Sequence, residues 1–547
     1  MFRTEVTETL ALAGFAPAGK PANRRERFCS TRNSVKRVVS ELGKLDGGKR
    51  ACAVLTLCAA TAIALPAQTV TTLFSFDYTD GSGPTGALVQ ATDGNLYGTT
   101  YGGGAKGGGT VFKITPGGAE TTLYSFCSKS GCTDGSSPSY AGLVQATNGN
   151  FYGTTTTGGA NCTLTGGCGT VFKITPSGKL TTLHSFAGYP TDGAFPYGGL
   201  VQASNGDFYG TTQNGGASAA CSVPGATGCG TVFTITPSGK LTTLHSFGGS
   251  PTDGAFPLAA LVQATNGDFY GTTFNGGASS SADCSLIGTS GCGTVFKMTA
   301  SGELTTLHSF AGYPTDGALP NGLVQATNRD FYGTTASGGA NCGTGGCGTV
   351  FKMTASGELT TLHSFAGYPT DGAGPFAGLV QATNGDLYGT TNSGGDNGAP
   401  NGGDGTVFQI TPGGALTTLY SFCSQGGTSC TDGADPQAAL VQDTNGMFYG
   451  TAIGVIGDGT VFSLSVGLGP FVETQTTSGK VGAVIKILGT DLTGATSVSF
   501  HGTAAVFTTV SPSLITTTVP AGATTGKVEV VTPSGTLSSN MPFRVRP

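Results

Sequence analysis

The chain has 547 residues, with 95 glycines, 26 prolines, no tryptophan and 10% charged side chains, so it is too long for one ordinary domain and too poor in charge for a disordered polyelectrolyte. Its formal charge of −5 divides unevenly: residues 1–67 carry 11 Lys/Arg against 5 Asp/Glu, and residues 68–547 carry 14 against 25. An acidic body with dispersed cations cannot form the basic stripe that a phosphate backbone requires, which excludes nucleic acid as the expected partner.

The first element is a leader. Residues 51–65, ACAVLTLCAATAIAL, form an apolar run of 15 between Lys49-Arg50 and Pro66-Ala67-Gln68. A charged stretch, an apolar stretch and a small-residue cleavage site make residues 1–67 a signal segment cut near Ala67. Crossing a bilayer takes about 20 apolar residues, so no stable membrane span is expected after cleavage. A lipoprotein signal fails, because Leu57 precedes Cys58 where a small residue is needed. Fifty residues are long for the charged stretch, and a translation start within them would fit the pattern equally.

Seven copies of one unit follow. TTL(F/Y/H)SF begins at residues 71, 121, 181, 242, 305, 360 and 417, and GTVF ends at Phe112, Phe172, Phe233, Phe296, Phe351, Phe408 and Phe462. The tyrosine of (F/L)YGT recurs as Tyr97, Tyr152, Tyr209, Tyr270, Tyr332, Tyr388 and Tyr449. Within residues 199–247 the runs GLVQA, DFYGTT, GTVFTIT and KLTTLHSF read as four strands. Asn205-Gly206 is expected to join the first two through a type I′ turn, and Pro237-Ser238-Gly239 the last two. Arg329 replaces that turn glycine in the fifth copy. No 3.6-residue period appears outside the leader, so the protein is all-β.

Four-stranded units repeated seven times bury their edges best by closing into a ring. The first TTLFSF precedes its unit, and the last unit stops after GTVFSLSV (Gly459–Val466) without a fourth strand. A seven-bladed β-propeller of four-stranded blades over residues 68–466 resolves this mismatch, closed by strand 71–76 pairing in the blade of Tyr449.

The unit LVQATNGDFYGTT…GG…GTVFKITPSGKLTTLHSF resembles the bacterial choice-of-anchor tandem repeats of the GloVer type, over about 400 residues. DGNLYGT at 93–99 is also similar to the DGNLWIGT blade motif of two-component-regulator propellers. The first family carries no established activity, so the resemblance implies an exported surface protein and little chemistry. Many relatives end in a sorting anchor; here another segment follows. Residues 469–547, with GTDL at 489–492, VSFHGTAA at 498–505 and VPAGATTGKVEVVTPSG at 519–535, resemble an IPT/TIG Ig-like domain. Alternating strands with turn signals every 8–12 residues independently predict a small β-sandwich. Such domains act as spacers or adhesion modules.

Outside the leader, 12 cysteines form six close pairs: Cys127 with Cys132, Cys162 with Cys168, Cys221 with Cys229, Cys284 with Cys292, Cys342 with Cys347 and Cys423 with Cys430. Small disulfide staples in an oxidising compartment suit these spacings. The rival reading, metal binding, lacks a His beside any pair.

Chemistry is expected on the side of the sheets that carries the loops between second and third strands and the crossovers to the next unit. Every crossover there has a Thr-Asp-Gly, giving Asp80, Asp134, Asp192, Asp253, Asp316, Asp371 and Asp432 as candidate ligand-binding residues. The competing reading is that each Asp caps its own turn. Gln90, Gln145, Gln202, Gln263, Gln325, Gln381 and Gln442 either line a central channel or satisfy backbone between blades. His184, His245, His308 and His363 exchange with Phe74, Tyr124 and Tyr420, which indicates packing. The stretch Asp396–Asp404 has oxygen donors of loose Ca2+ character without the spacing of an EF-hand. No metal, cofactor or catalytic residue is otherwise expected.

Near-identical copies supply like groups spread in a ring, whereas enzymes need unlike groups with separated pKa values at one place. The expectation is therefore a secreted or cell-surface, non-catalytic, monomeric scaffold for a glycan or surface protein. A purely structural envelope protein and a polysaccharide hydrolase or lyase are the alternatives; for the enzyme, Asp435, Asp396 and Asp404 are the unique acids noted.

Overall fold

Each repeat forms a four-stranded antiparallel sheet, and the packing of its strands accounts for the motifs. In the first, β2 (Val89–Gln90), β3 (Leu96–Thr100), β4 (Thr110–Ile114) and β5 (Glu120–Ser125) lie side by side in that order. β3 is buried along its whole length, so it shows no polar alternation. Tyr97 donates its hydroxyl to Asp93 at 2.9 Å. A Cβ on Gly98 would lie 2.6 Å from the Phe112 ring and 2.7 Å from Leu88, so the glycine lets the two side chains close over β3. The Thr100 and Thr110 hydroxyls meet at 2.8 Å, satisfying two buried polar groups. Equivalent threonine pairs recur in the next five units. In the seventh, Ala452 stands at the first position and the Thr460 hydroxyl is left without a partner.

The computed structural model describes residues 68–547 apart from 141, 163, 165, 224–225, 280–283, 285–290, 344, 398–402, 426–429, 455–456 and 547, and no α-helix occurs among the described residues. The leader, residues 1–67, lies outside them. Ala67–Pro547 forms one of two compact units into which the chain divides.

The first turn of each unit differs from the type I′ expectation. Gly206 N donates to Ala203 O at 2.8 Å, and Ala203 N donates to Asp207 O at 2.9 Å. Gly206 has φ 92°, while Asn205 is not among the residues with positive φ. The loop therefore holds three residues and ends in a left-handed glycine, the arrangement of a bulged hairpin. Asn205 instead accepts the Asp207 N–H at 3.1 Å, bracing the turn from its side chain. Arg329 takes the same left-handed conformation, with φ 72°. Arg329→Gly is expected to stabilise the protein by about 0.5–1 kcal/mol, measured by chemical unfolding; a loss of stability would contradict this account of the turn.

The β2–β5 order recurs in sheets beginning at Val144, Val201, Val262, Ala318 and Val380. The seventh sheet comes from both ends of the repeat array: Val441–Gln442, Phe448–Ala452 and Thr460–Ser465 are joined by β1 (Thr69–Ser75), which pairs Thr69 with Ser465 and Ser75 with Thr460. Adjacent sheets pack through aromatic pairs. Phe126 meets Phe172 edge-on at 5.2 Å, and the contact recurs down to Phe422 and Phe462. Phe76, just after β1, meets Phe112 of the first sheet at 5.1 Å in the same way.

The repeated glutamines form a second series. Each accepts the N–H of a turn residue in the preceding unit: Gln145 from Thr92 at 2.9 Å, Gln202 from Thr147 at 3.0 Å, and so on to Gln442 from Thr383 at 3.1 Å. Thr444 N then donates to Gln90 at 3.0 Å, so the series returns to the first unit. Between the channel-lining and backbone-satisfying readings of these amides, the hydrogen bonds favour the second.

The C-terminal segment folds as two four-stranded sheets. Glu473–Thr474, Val484–Leu488, Leu514–Thr518 and Phe507–Ser511 form one, and Thr503–Ala505, Ser497–Phe500, Val528–Thr532 and Gly535–Ser538 the other. Alternate residues of Val528–Thr532 are buried and exposed. The inward set joins Ile485, Ile487, Val498, Phe500 and Ile515 in one core.

Candidate functional site

Antiparallel order puts both short turns of the first six units, and the one short turn of the seventh, on one side, the turn side, and the longer loops and crossovers on the other, the loop side. The turn side is partly covered by the C-terminal sandwich. Gln475 Nε2 donates to Ala146 O at 3.1 Å, Lys486 Nζ to Thr147 O at 3.0 Å and Ser513 Oγ to Thr92 O at 3.0 Å. Asn540 Nδ2 donates to Gln381 O at 3.2 Å, the Arg544 guanidinium to Thr265 O, and the Thr444 and Thr490 hydroxyls meet at 3.0 Å. These contacts reach the inner turns of the first, second, fourth, sixth and seventh units.

The seven aspartates lie on the loop side, each engaged within its own crossover. Asp192 accepts from His184 Nε2 at 2.7 Å, Ala187 N at 2.7 Å and Gly188 N at 3.1 Å. The same His–Asp bond joins His245 to Asp253, His308 to Asp316 and His363 to Asp371. Where tyrosine replaces histidine, its hydroxyl donates instead: Tyr124 to Asp134 at 2.7 Å and Tyr420 to Asp432 at 2.6 Å. In the remaining copy Phe74 offers no donor, and Asp80 accepts the Asp77 N–H at 3.0 Å. Burial raises the Asp80 carboxyl above its ordinary pKa. Burial also works against ionisation of Asp253, but bonds from His245 and Gly248 N outweigh it and hold the carboxyl below the usual range. No hydrogen bond joins one of these carboxylates to another among the described residues. The exchange of His with Tyr thus follows from a need for a polar tip on an aromatic ring, a signal visible as the constant eight-residue spacing from His to Asp.

The six disulfides join cysteines that neighbour each other in the chain: Cys127 to Cys132, Cys162 to Cys168, Cys221 to Cys229, Cys284 to Cys292, Cys342 to Cys347 and Cys423 to Cys430. They lie in the loops and crossovers of the loop side and brace them through the backbone as well. Cys132 O accepts the Gly135 N–H at 2.9 Å, just past Asp134. Cys168 O and Cys292 O accept the N–H groups of Phe195 and Leu319, both at 2.9 Å, which ties each loop to the crossover beside it. Cys168 and Cys292 are fully buried, so both pack within the scaffold and present no surface to a ligand. A Cβ on Gly249 would lie 3.1 Å from Cys221 Sγ, and one on Gly367 3.0 Å from Cys347 Sγ, so these disulfides back the Asp-braced crossovers directly. Asp404 lies beside Cys423 and Cys430, but both sulfurs are in a disulfide, which leaves no thiolate to bind a metal. Residues 398–402 of the Asp396–Asp404 stretch lie outside the described residues. A groove of about 450 Å³ lies over Asp371, Asp396, Asn397, Tyr420 and Ser424.

Two further features escape sequence reasoning. Asp443 stands where the other six units have a buried alanine, and it is 1% exposed. Its Oδ1 accepts the Asn445 N–H at 2.9 Å, while Oδ2 has no hydrogen-bond partner among the described residues. Burial pushes its pKa up to about 6. The carboxyl of Glu473 of the sandwich, an exposed residue, is pushed up to about 7 by desolvation and then by the Asp443 charge. The signal for Asp443 is the single Gln-Asp-Thr among six Gln-Ala-(Thr/Ser) strings. The second feature is an aromatic group on the loop side, where the Tyr140 and Tyr197 ring centroids are 5.8 Å apart.

A family model for the Gloeobacter/Verrucomicrobia repeat matches residues 59–284 and 282–505, more than half of the chain, and one for the IPT/TIG domain matches residues 470–545. A search of curated proteins found no match. Among solved structures, the chain is similar to a fungal alcohol oxidase of the AA5 family in complex with copper, at 12% identity and a TM-score of 0.47, over 88% of this chain and 99% of that one. It is also similar to the extracellular domain of a hybrid two-component system from B. thetaiotaomicron, at 11% identity and a TM-score of 0.43, over 88% of this chain and 58% of that one. At such values neither bears on the chemistry of the site.

Proposed function

We propose that this chain, which belongs to the Gloeobacter/Verrucomicrobia repeat family and carries an IPT/TIG domain, is an exported, non-catalytic scaffold that presents one side of a seven-bladed β-propeller to a glycan or surface protein. Residues 68–466 supply the blades and residues 469–547 the Ig-like sandwich. Ring closure is supported by β1 in the seventh sheet, by the Phe76–Phe112 contact and by the glutamine series that returns from Thr444 to Gln90. Export is supported by the leader pattern and by six disulfides, which persist in oxidising compartments.

The observation that carries the choice of surface is the sandwich on the turn side. Its hydrogen bonds occupy inner turns of five units, and among the described residues none of them reaches the loop side. The aspartates serve as braces of that face, since their oxygens are spent on their own crossovers. Variable loops held by rigid sheets and disulfides then provide recognition.

The test uses the secreted, processed chain with its disulfides intact, screened against glycans and surface proteins. A small folded tag inserted in the Cys221–Cys229 loop should abolish capture of the ligand, and the same tag in the Pro237-Ser238-Gly239 turn should leave it unchanged. Loss of capture with the turn-side tag alone, substrate turnover, or no ligand in any condition would refute the reading.

A further inference from the structure

Seven-fold repetition separates scaffold from individuality. The tyrosine of (F/L)YGT is buried in every unit, and its hydroxyl is tied to the nearby turn, as in Tyr97 to Asp93 and Tyr152 to Asn148. Tyr101, Tyr140 and Tyr197 have no such repetition. Counted back three residues from the leucine before the first strand, Tyr140 and Tyr197 share a crossover position that reads Thr85, Leu258, Pro320, Phe376 and Gln437 in the other units. No unit carries a charge there, nor at the strand exit held by Tyr101.

These positions lie at the boundaries between neighbouring units on the loop side. Two residues after Tyr140, a Cβ on Gly142 would lie 2.9 Å from Ala87 O; two residues after Tyr197, one on Gly199 would lie 3.3 Å from Gly142 O. The Tyr140 and Tyr197 rings pack at 5.8 Å with 44° between planes. Tyr101 is 53% exposed and Tyr140 46%, and a Cβ on Gly109 would lie 2.9 Å from Tyr101 O and 2.8 Å from Pro138, two residues before Tyr140. None of the three hydroxyls is hydrogen-bonded among the described residues. Burial, and then Tyr101, raises the phenol of Tyr140; burial, then Tyr140 and Tyr101, raises that of Tyr197. Tyr140 also has φ 55°, an unfavourable conformation for a bulky side chain and one that nothing in the fold requires of tyrosine.

We infer that Tyr101, Tyr140 and Tyr197 form a stacking subsite for a neutral sugar ring at the loop-side mouth of the propeller. The inference rests on the scaffold reading above and names its ligand. Tyrosine faces stack against the C–H faces of a pyranose, the three free hydroxyls meet sugar hydroxyls, and stiff aromatic side chains lose little entropy on binding. Uncharged side chains at these positions, on an acidic body, neither pair with a polyanionic glycan nor attract one.

The test titrates the full secreted chain with soluble neutral hexasaccharides (cello-, xylo-, manno- and chito-oligosaccharides) and with oligogalacturonate, followed by calorimetry and by tyrosine emission, which no tryptophan obscures. A neutral oligosaccharide should bind, and Tyr140→Gly and Tyr197→Ala should each weaken it roughly tenfold or more. Tyr140→Gly should not lower the melting temperature, because glycine accepts the left-handed backbone; Tyr78→Ala, exposed but outside the cluster, should change nothing. Failure of every neutral sugar to bind at millimolar concentration, preference for the acidic one, or unchanged affinity in both cluster variants would overturn the subsite. A ligand blocked by the loop-side tag but indifferent to the tyrosines, or a protein ligand alone, would remove the subsite and leave the scaffold; a ligand blocked only by the turn-side tag would remove both.

Discussion

Removing residues 68–77 is expected to destabilise the protein by roughly 5 kcal/mol or more, a large part of the 5–15 kcal/mol typical of a folded protein. β1 supplies the outer strand of the seventh sheet, with partners from Ser465 to Thr460. Phe76 is 6% exposed and packs in a cluster with Leu88, Phe112, Tyr449 and Val461, which spans the seventh and first sheets. Its loss alone, as Phe76→Ala, should cost about 3–5 kcal/mol. Deletion also bares the edge of Thr460–Ser465, a template for intermolecular pairing. The truncated chain should unfold at lower denaturant and aggregate on concentration, and a synthetic peptide of residues 68–77 should restore it in trans. An unfolding midpoint equal to that of the parent would show that β1 closes nothing. The proposed leader gives this result a biological edge: a cut near Ala67 would leave β1 starting two residues later, so processing that ran ten residues too far would remove β1.

The architecture was legible because repetition multiplies weak signals. One DFYGTT run is an ambiguous apolar stretch, whereas seven, each followed by GTVF and in six units by a TTL run that begins nine residues after that phenylalanine, define a sheet, and the unmatched TTLFSF announced its partner at the far end. Turn type was harder, because Asn-Gly is compatible with two hairpin geometries, and the register of Ala203 with Asp207 decides between them. Side-chain roles at the site were legible only where the residue repeats. The His–Asp bond could have been found from its constant spacing, yet exchange of histidine with phenylalanine and tyrosine pointed to packing, and both descriptions hold: His184 meets Phe186 edge-on at 5.0 Å while bonding Asp192. The seven carboxylates read in sequence either as a ring that could hold a ligand or as caps of their own turns, because sequence does not show how many donors each oxygen already has. Tyr140 and Tyr197 were invisible for the opposite reason. Their significance lies in differing from the other copies and in meeting across a unit boundary, and no pattern within one unit carries that information.

Asp443→Ala should make the protein more stable at neutral and alkaline pH, by about 2–3 kcal/mol at pH 8, although it deletes a hydrogen-bonding side chain. In the other units an alanine fills this buried site, as Ala91 and Ala146 do at 0% exposure, so the methyl group fits without a cavity. Asp443 brings one bond from Asn445 N and one oxygen with no hydrogen-bond partner among the described residues, and burial lifts its pKa from 3.8 to about 6. A carboxyl raised on folding binds its proton more tightly in the native state. Its contribution is therefore complete below the unfolded pKa near 4, declines as pH rises and is gone above about 6. The advantage of alanine must open over that same window, from little at pH 4 to its full value at pH 8. Removing the Asp443 charge should also let the Glu473 carboxyl ionise at lower pH, since Asp443 is one of the two causes that raise it. Denaturant unfolding of both proteins across pH 4–8 measures the difference directly. A variant less stable than the parent at pH 8, or a gain of equal size at both ends, would show that Asp443 is not a buried, unpaired carboxylate in the native protein.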